Sequence, residues 1–208
     1  MNKLWKEPGV ISPANGLPVM RMEGGCDVWT DAKFKQHKLK DNPADDILAE
    51  GVKILHSLGL FCWLSAGTAL AIYRDGKLID DDTDIDIAMY GKDYKEEVAQ
   101  KFFEKGFNLI RAADKDGKMQ QRAWQKNDVV FDLAGFYDTN DGYYTNYMDY
   151  GAILKPVALM ANCQDIKYKG NDYRIPSPKE YVLWRYGKNW KIPHKGKGLW
   201  GTAMSVGK

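Results

Sequence analysis

Two aspartates separated by a single isoleucine, in Asp84-Ile85-Asp86-Ile87, are the side chains of this sequence best arranged for chemistry. In an extended strand, positions 84 and 86 point to one face with α-carbons about 7 Å apart, while Ile85 and Ile87 point to the other. Carboxylates so disposed can converge on one or two divalent cations, and the isoleucines would root them in a core. A third acid, Asp132, interrupts the apolar run Val129-Val130-Phe131-Asp132-Leu133-Ala134, a placement that is costly without a partner. On a neighbouring strand it would complete a three-carboxylate site for Mg²⁺ or Mn²⁺. The plainer alternative is that Asp80–Asp86 is an acidic turn and Asp132 pairs with an arginine. A calcium loop starting at Asp82 fails at its sixth position, Ile87, where glycine is required.

Upstream, Ser65-Ala66-Gly67-Thr68 reads as a small-residue loop between a strand and a helix. Such a loop offers backbone N–H groups and the Ser65 and Thr68 hydroxyls to a phosphate. Many strand–helix turns look the same. The signal gains strength from the aspartate pair that begins 16 residues beyond Thr68 and from the later acidic strand. In that chemistry the cation would neutralise a diphosphate, Asp132 would complete the metal set or accept a proton, and Arg74 or Lys188 would offset phosphate charge. Arg111 and Arg122 lie on expected strands and are read as surface residues in preference to phosphate ligands. Trp190 with Tyr186 could stack on a base or sugar, or simply pack a C-terminal segment.

The elements that must position these groups follow from periodicity and breakers. Asn42-Pro43 opens a helix as N-cap and first residue, with Ile47, Leu48, Val52, Leu55 and Leu58 at helical spacing before Gly59. Residues 60–64 read as a buried strand, Gly67–Asp75 as a helix ended by Gly76, Asp84–Tyr90 as a strand, and Tyr94–Lys105 as a helix stopped by Gly106. Strands are expected at Phe107–Ala112, Lys118–Gln125 and Val129–Phe136, with turns at Asp116-Gly117 and Asn127-Asp128. Tyr137–Tyr150 shows no clean period and reads as loop. Ile166–Lys169 and Tyr173–Ile175 flank a hairpin turn at Gly170-Asn171-Asp172, and Ser177-Pro178-Lys179-Glu180 reads as a capping box opening a helix to Tyr186. The order indicates a mixed α/β sheet with helices on it.

Three parts are expected. Residues 1–40, punctuated by Pro8, Pro13, Pro18 and Gly24-Gly25, form an irregular segment held to the core by Trp5, Trp29 and Phe34. Residues 41–150 form the core, and residues 151–208 a basic C-terminal subdomain of hairpin, helix and tail. Charge divides along that line: residues 1–150 carry 19 basic and 25 acidic side chains, residues 151–208 carry 11 and 3. A cationic segment beside an acid cluster suits an anionic partner, although Lys188, Lys191, Lys195 and Lys197 read most simply as a solvated tail. Cys26, Cys62 and Cys163 are odd in number and far apart, as are His37, His56 and His194, so neither a disulfide framework nor a zinc site is expected. No apolar run approaches the ~20 residues of a membrane helix and no signal region opens the chain, so a reduced, cytoplasmic protein is expected.

These residues resemble the nucleotidyltransferase fold of polymerase-β-type enzymes and, more narrowly, the LicD/fukutin-related phosphotransferases. Trp63–Leu70 resembles the family stretch WLSGGTLLG, and Arg74 falls where the family has an arginine. Ile79–Ala88 follows PWDDDIDIG, with Asp82, Asp84 and Asp86 on the first, third and fifth positions of its acidic core. Tyr186–Pro193 is similar to the ending YG-x-x-W-x-x-P. The chain departs at Ala66 (glycine in the family), Thr83 (the middle aspartate) and Asp81 (tryptophan). The resemblance implies a metal-dependent enzyme moving a phosphorylated alcohol, phosphocholine or an alditol phosphate, from a CDP-activated donor to a glycan hydroxyl. Asp84, Asp86 and Asp132 would be catalytic and metal-binding, and Ser65, Gly67, Thr68, Arg74, Lys188 and Trp190 would bind nucleotide and phosphate. Two other readings stand beside it: transfer of a nucleoside monophosphate to a small molecule, sugar, protein or RNA, and a non-catalytic nucleic-acid-binding module acting through residues 151–208.

Overall fold

The computed structural model describes residues 19–21, 27–31, 33–140, 142–148, 151–160 and 162–193. Trp5, Pro8, Pro13, Pro18, Gly24, Gly25, Cys26, His194, Lys195 and Lys197 lie outside them. The strands are β1 (Val19–Arg21), β2 (Asp27–Thr30), β3 (Cys62–Leu64), β4 (Asp84–Tyr90), β5 (Asn108–Lys115) and β6 (Lys118–Lys126). They continue as β7 (Val129–Asp138), β8 (Tyr143–Met148), β9 (Gly151–Pro156), β10 (Cys163–Tyr168) and β11 (Asn171–Pro176). The helices are α1 (Ala44–Ser57), α2 (Ala66–Asp75), α3 (Glu96–Glu104), α4 (Val157–Met160) and α5 (Pro178–Tyr186).

Nine of the described strands make one mixed sheet in the order β1-β2-β5-β6-β7-β4-β3, with β8 continuing from β7 and β9 from β8. Among them β4 and β7 form the one parallel pair, Asp86 level with Asp132 and Ile87 level with Leu133. The alternation expected for β4 is realised. Ile85 and Ile87 are buried with Phe131 and Leu133 under α1 and α3, while the aspartates face the other way. Gly51 lets α1 lie directly on that layer, since a Cβ there would stand 2.2 Å from the Phe131 ring. Phe102 of α3 stacks on Trp124 at 4.3 Å and completes the layer.

Several expectations change. The segment read as irregular supplies β1 and β2, which extend the sheet from β5 through the pairing of Trp29 with Ala112. The stretch read as loop contains β8, and β8 pairs with β9, which has no clean alternation to reveal it. The hairpin turn falls at Lys169-Gly170, both with positive φ, so that Asn171 already pairs with Tyr168. Helix α1 begins at Ala44 with Pro43 as N-cap, and Asn42 instead donates its side-chain amide to the Lys38 carbonyl. The capping box at Ser177 does not form: its hydroxyl donates to the Leu159 carbonyl, 2.9 Å away. The C-terminal hairpin and helix share the main core, with Tyr168, Tyr173, Ile175, Tyr181 and Val182 buried alongside the residues of α1 and β4. No helix among the described residues is long and apolar enough to cross a membrane.

Candidate active site

The site is built where the β3–α2 loop meets the N-terminal half of β4. Three hydrogen bonds fasten the two around one residue. The Ser65 N–H donates to the Asp86 carbonyl (3.0 Å), the Asp86 N–H to Thr68 Oγ1 (2.8 Å), and the Gly67 N–H to Asp86 Oδ2 (3.0 Å). Gly67 is needed for space. A Cβ at this position would stand 2.8 Å from Asp82 Oδ2 and 3.4 Å from Asp86 Oδ2.

Within the run Asp80–Asp86 the acids divide into an outward and an inward set. Asp80 pairs with Lys77 at 2.9 Å, and Asp81 with Lys38 and Lys40 at 2.9 and 3.2 Å. Those lysine hydrogen bonds pull the Asp81 carboxyl down to about 2. Asp82, Asp84 and Asp86 turn toward one another and toward Asp132. Burial, then the charges of Asp86, Asp132 and Asp82, push Asp84 up to about 9, and Asp84 shares its proton with Asp82 in a hydrogen bond. Burial, then Asp132 and Asp82, push Asp86 up to about 7 against the pull of Arg185 and the Gly67 N–H. Asp132 accepts a hydrogen bond on Oδ2 from Gln121 Nε2, a buried amide two strands away from β4. Asp132 is therefore beside Asp86 on the same face, as its apolar strand required.

The other expected ligands are dispersed. Arg74 forks onto Asp75 (2.8 and 2.6 Å) and reaches the Trp190 carbonyl (3.2 Å), at the opposite end of α2 from Gly67. Trp190 stacks on Tyr73 at 5.7 Å, the packing alternative, and Lys188 is exposed in the turn after α5. Arg122 is not a surface residue: it makes a buried ion pair with Asp114 at 2.9 Å, level with Leu133 and so on the opposite face from the acids. Arg111 is partly exposed on β5. Ser65, Gly67 and Thr68 stand beside the acids, with their polar groups directed to Asp86 and Tyr181.

Two groups escaped the sequence reading. Tyr181, buried in α5, accepts the Ala66 N–H on its hydroxyl (2.8 Å) and lies 3.3 Å from Ser65 Oγ. It caps α2 in place of Ser65, whose side chain makes no capping bond. Arg185, one helical turn later, is the cation acting on Asp86. Their four-residue spacing on a short helix was the available signal. Ala66 sits at φ +38°, a conformation that favours glycine.

Among the described residues no three His, Cys, Asp or Glu side chains are gathered as ready-made metal ligands. As they lie, Asp84 and Asp82 are hydrogen-bonded to each other. Their chemistry still fits a hard cation: all are oxygen donors, mutual repulsion raises their proton affinity, and the missing Gly67 side chain leaves a gap against Asp82 and Asp86.

A family model described as LicD/FKTN/FKRP, nucleotidyltransferase domain, matches residues 59–178. The mouse and human proteins described as ribitol-5-phosphate transferase FKTN are each 30% identical to this chain over 175 residues. The match covers 78% of this chain but 38% of each relative, so the chain spans well under half of their length. Among solved structures, a lincomycin-bound lincosamide antibiotic adenylyltransferase, LnuA, matches with a TM-score of 0.50 at 17% identity, covering 70% of this chain and 88% of that one. That likeness is one of fold.

Proposed function

Because the chain belongs to the LicD/FKTN/FKRP nucleotidyltransferase-domain family, we propose that it transfers a phosphorylated alcohol from a CDP-activated donor to a glycan hydroxyl. The observation that carries this reading is the meeting of Asp84, Asp86 and Asp132 on one face of β4 and β7, beside Gly67 in the first turn of α2. A divalent cation, Mg²⁺ or Mn²⁺, held by Asp84, Asp86 and Asp132 would neutralise the donor diphosphate and steady the departing nucleotide. In the reaction proposed, the acceptor oxygen bonds to the phosphorus bearing the alcohol, the bond from that phosphorus to the CMP oxygen breaks, and the acceptor proton passes to a carboxylate of the cluster, Asp132 where it is not bound to the cation.

The chain's own residues would set the stage for that step. Thr68 and Gly67 fix the Asp86 backbone and carboxylate, so the acid is held without a flexible stem. Gly67 keeps the approach to Asp82 and Asp86 clear of a side chain, and Gln121 orients Asp132. The group transferred would be phosphocholine or an alditol phosphate.

The test is incubation of the protein with Mg²⁺ and labelled CDP-choline, CDP-ribitol or nucleoside triphosphates, with a glycan acceptor. CMP release from a CDP-linked donor is expected, abolished by Asp86→Asn. Pyrophosphate release from a triphosphate would replace this reading with nucleotidyl transfer.

A further inference from the structure

We infer that Arg185 is the residue that receives the donor's diphosphate, a role that rests on the transferase reading above. Three groups of the segment expected to cradle phosphate are committed within the protein. The Ala66 N–H goes to Tyr181, the Gly67 N–H to Asp86, and Thr68 Oγ1 to the Asp86 N–H. Lys38 and Lys40 pair with Asp81, Lys77 with Asp80 and Arg74 with Asp75, carboxylates that stand outside the inward set. A diphosphate entering beside Asp84 and Asp86 still needs a positive protein group.

Helix α5 supplies it. The Tyr181 hydroxyl touches the first amide of α2, which fixes the face of α5 turned toward the loop. Arg185 follows four residues later on that face and is partly buried. Its charge reaches Asp86 and draws that carboxyl toward its ionised form. A guanidinium can fork onto two phosphate oxygens, which an ammonium cannot.

The role predicts effects of opposite sign on two ligands. Removing the charge takes a cation away from a cation-binding cluster, so Mg²⁺ alone should bind Arg185→Gln as tightly as wild type or more so. CDP at saturating Mg²⁺ should bind the same variant at least ~10-fold more weakly, the scale of a lost charged hydrogen-bond pair. Calorimetric titration of the full chain with each probe reads both. Arg185→Lys should recover part of the CDP affinity, and it carries the test if the glutamine variant fails to fold: affinity equal to wild type would then overturn the fork. Loss of both CDP and Mg²⁺ binding in a folded Arg185→Gln would make the arginine a structural counter-charge and overturn the inference. If Asp84→Asn loses CDP while Arg185→Gln binds it within threefold of wild type, the inference falls and the transferase reading stands. A wild type that does not bind CDP at millimolar concentration overturns both.

Discussion

At the scale of single residues, Gly67 has two demands on it that separate cleanly. Second in α2, it costs helix stability relative to alanine by about 1 kcal/mol. Its missing side chain is also the space against Asp82 and Asp86. Gly67→Ala is therefore expected to leave the melting temperature unchanged or slightly higher, while lowering turnover at least ~10-fold by displacing the Asp82 carboxylate. A stable variant with wild-type kcat would make Gly67 an ordinary helix residue. The acids were legible because each is a charge in an apolar strand, and alternation alone assigns Asp84 and Asp86 to one face. The level pairing of Asp132 with Asp86 could be anticipated only as a possibility, since strand order is not written in either segment. What stayed hidden was the use of the loop's polar groups. Ser65 and Thr68 look the same in sequence whether they face a ligand or, as here, Tyr181 and Asp86.

Among elements, α5 has the largest bearing on the site for its length. Tyr181→Phe removes the hydroxyl that satisfies the buried Ala66 N–H, and the expected cost is about 1–3 kcal/mol of stability, read by urea unfolding. Because that amide opens α2, the same variant should raise the donor KM more than it lowers kcat. Equal stability and unchanged KM would show that α2 holds its place without the contact. The helix itself was readable from Pro178 and Gly187, yet its partner was not: Tyr181 and Ala66 are far apart in sequence and nothing local links them. Strand β8 was missed for a related reason. Its pairing with β7 and β9 supplies the order that its Tyr-rich composition does not, and Asn146 is fully buried, donating to the Gly135 and Gln120 carbonyls at 2.7 and 2.6 Å. A polar residue in that setting breaks alternation and disguises a strand as a loop.

For the molecule as a whole, the inward acids tie stability to pH. Asp84 and Asp86, raised to about 9 and about 7, bind protons in the folded state that an unfolded chain, with carboxyls near about 4, has released. Folding therefore takes up protons between about pH 4 and the folded values, and stability falls as pH rises through that window, opposite to the usual aspartate. In EDTA the melting temperature should drop from pH 5 to pH 9, Mg²⁺ should reduce the drop, and Asp84→Asn should flatten it without metal. A flat profile in the wild type would show that the acids are solvated. The charge imbalance between residues 1–150 and 151–208 is plain in the sequence; how its basic side chains are used is not. Part of the basic segment is paired, as in Lys167 with Asp172 at 2.8 Å and Arg174 with Asp165 at 3.2 Å, and its aromatic residues enter the common core.

The parallel pairing of β4 with β7 also governs when the site comes into being. Antiparallel neighbours such as β5 and β6 can zip from a tight turn, but β4 and β7, adjacent in the sheet, are separated in sequence by α3 and the β5–β6 hairpin. Closing so long a loop is entropically slow, and here its closure forces like charges together. During synthesis, Asp84 and Asp86 would leave the ribosome well before Asp132, and Tyr181 and Arg185 would follow later still. The pairing that buries Ile85 and Ile87 with Phe131 and Leu133 is the same one that sets Asp86 level with Asp132, so the gain on the apolar face and the repulsion on the acidic face arrive together.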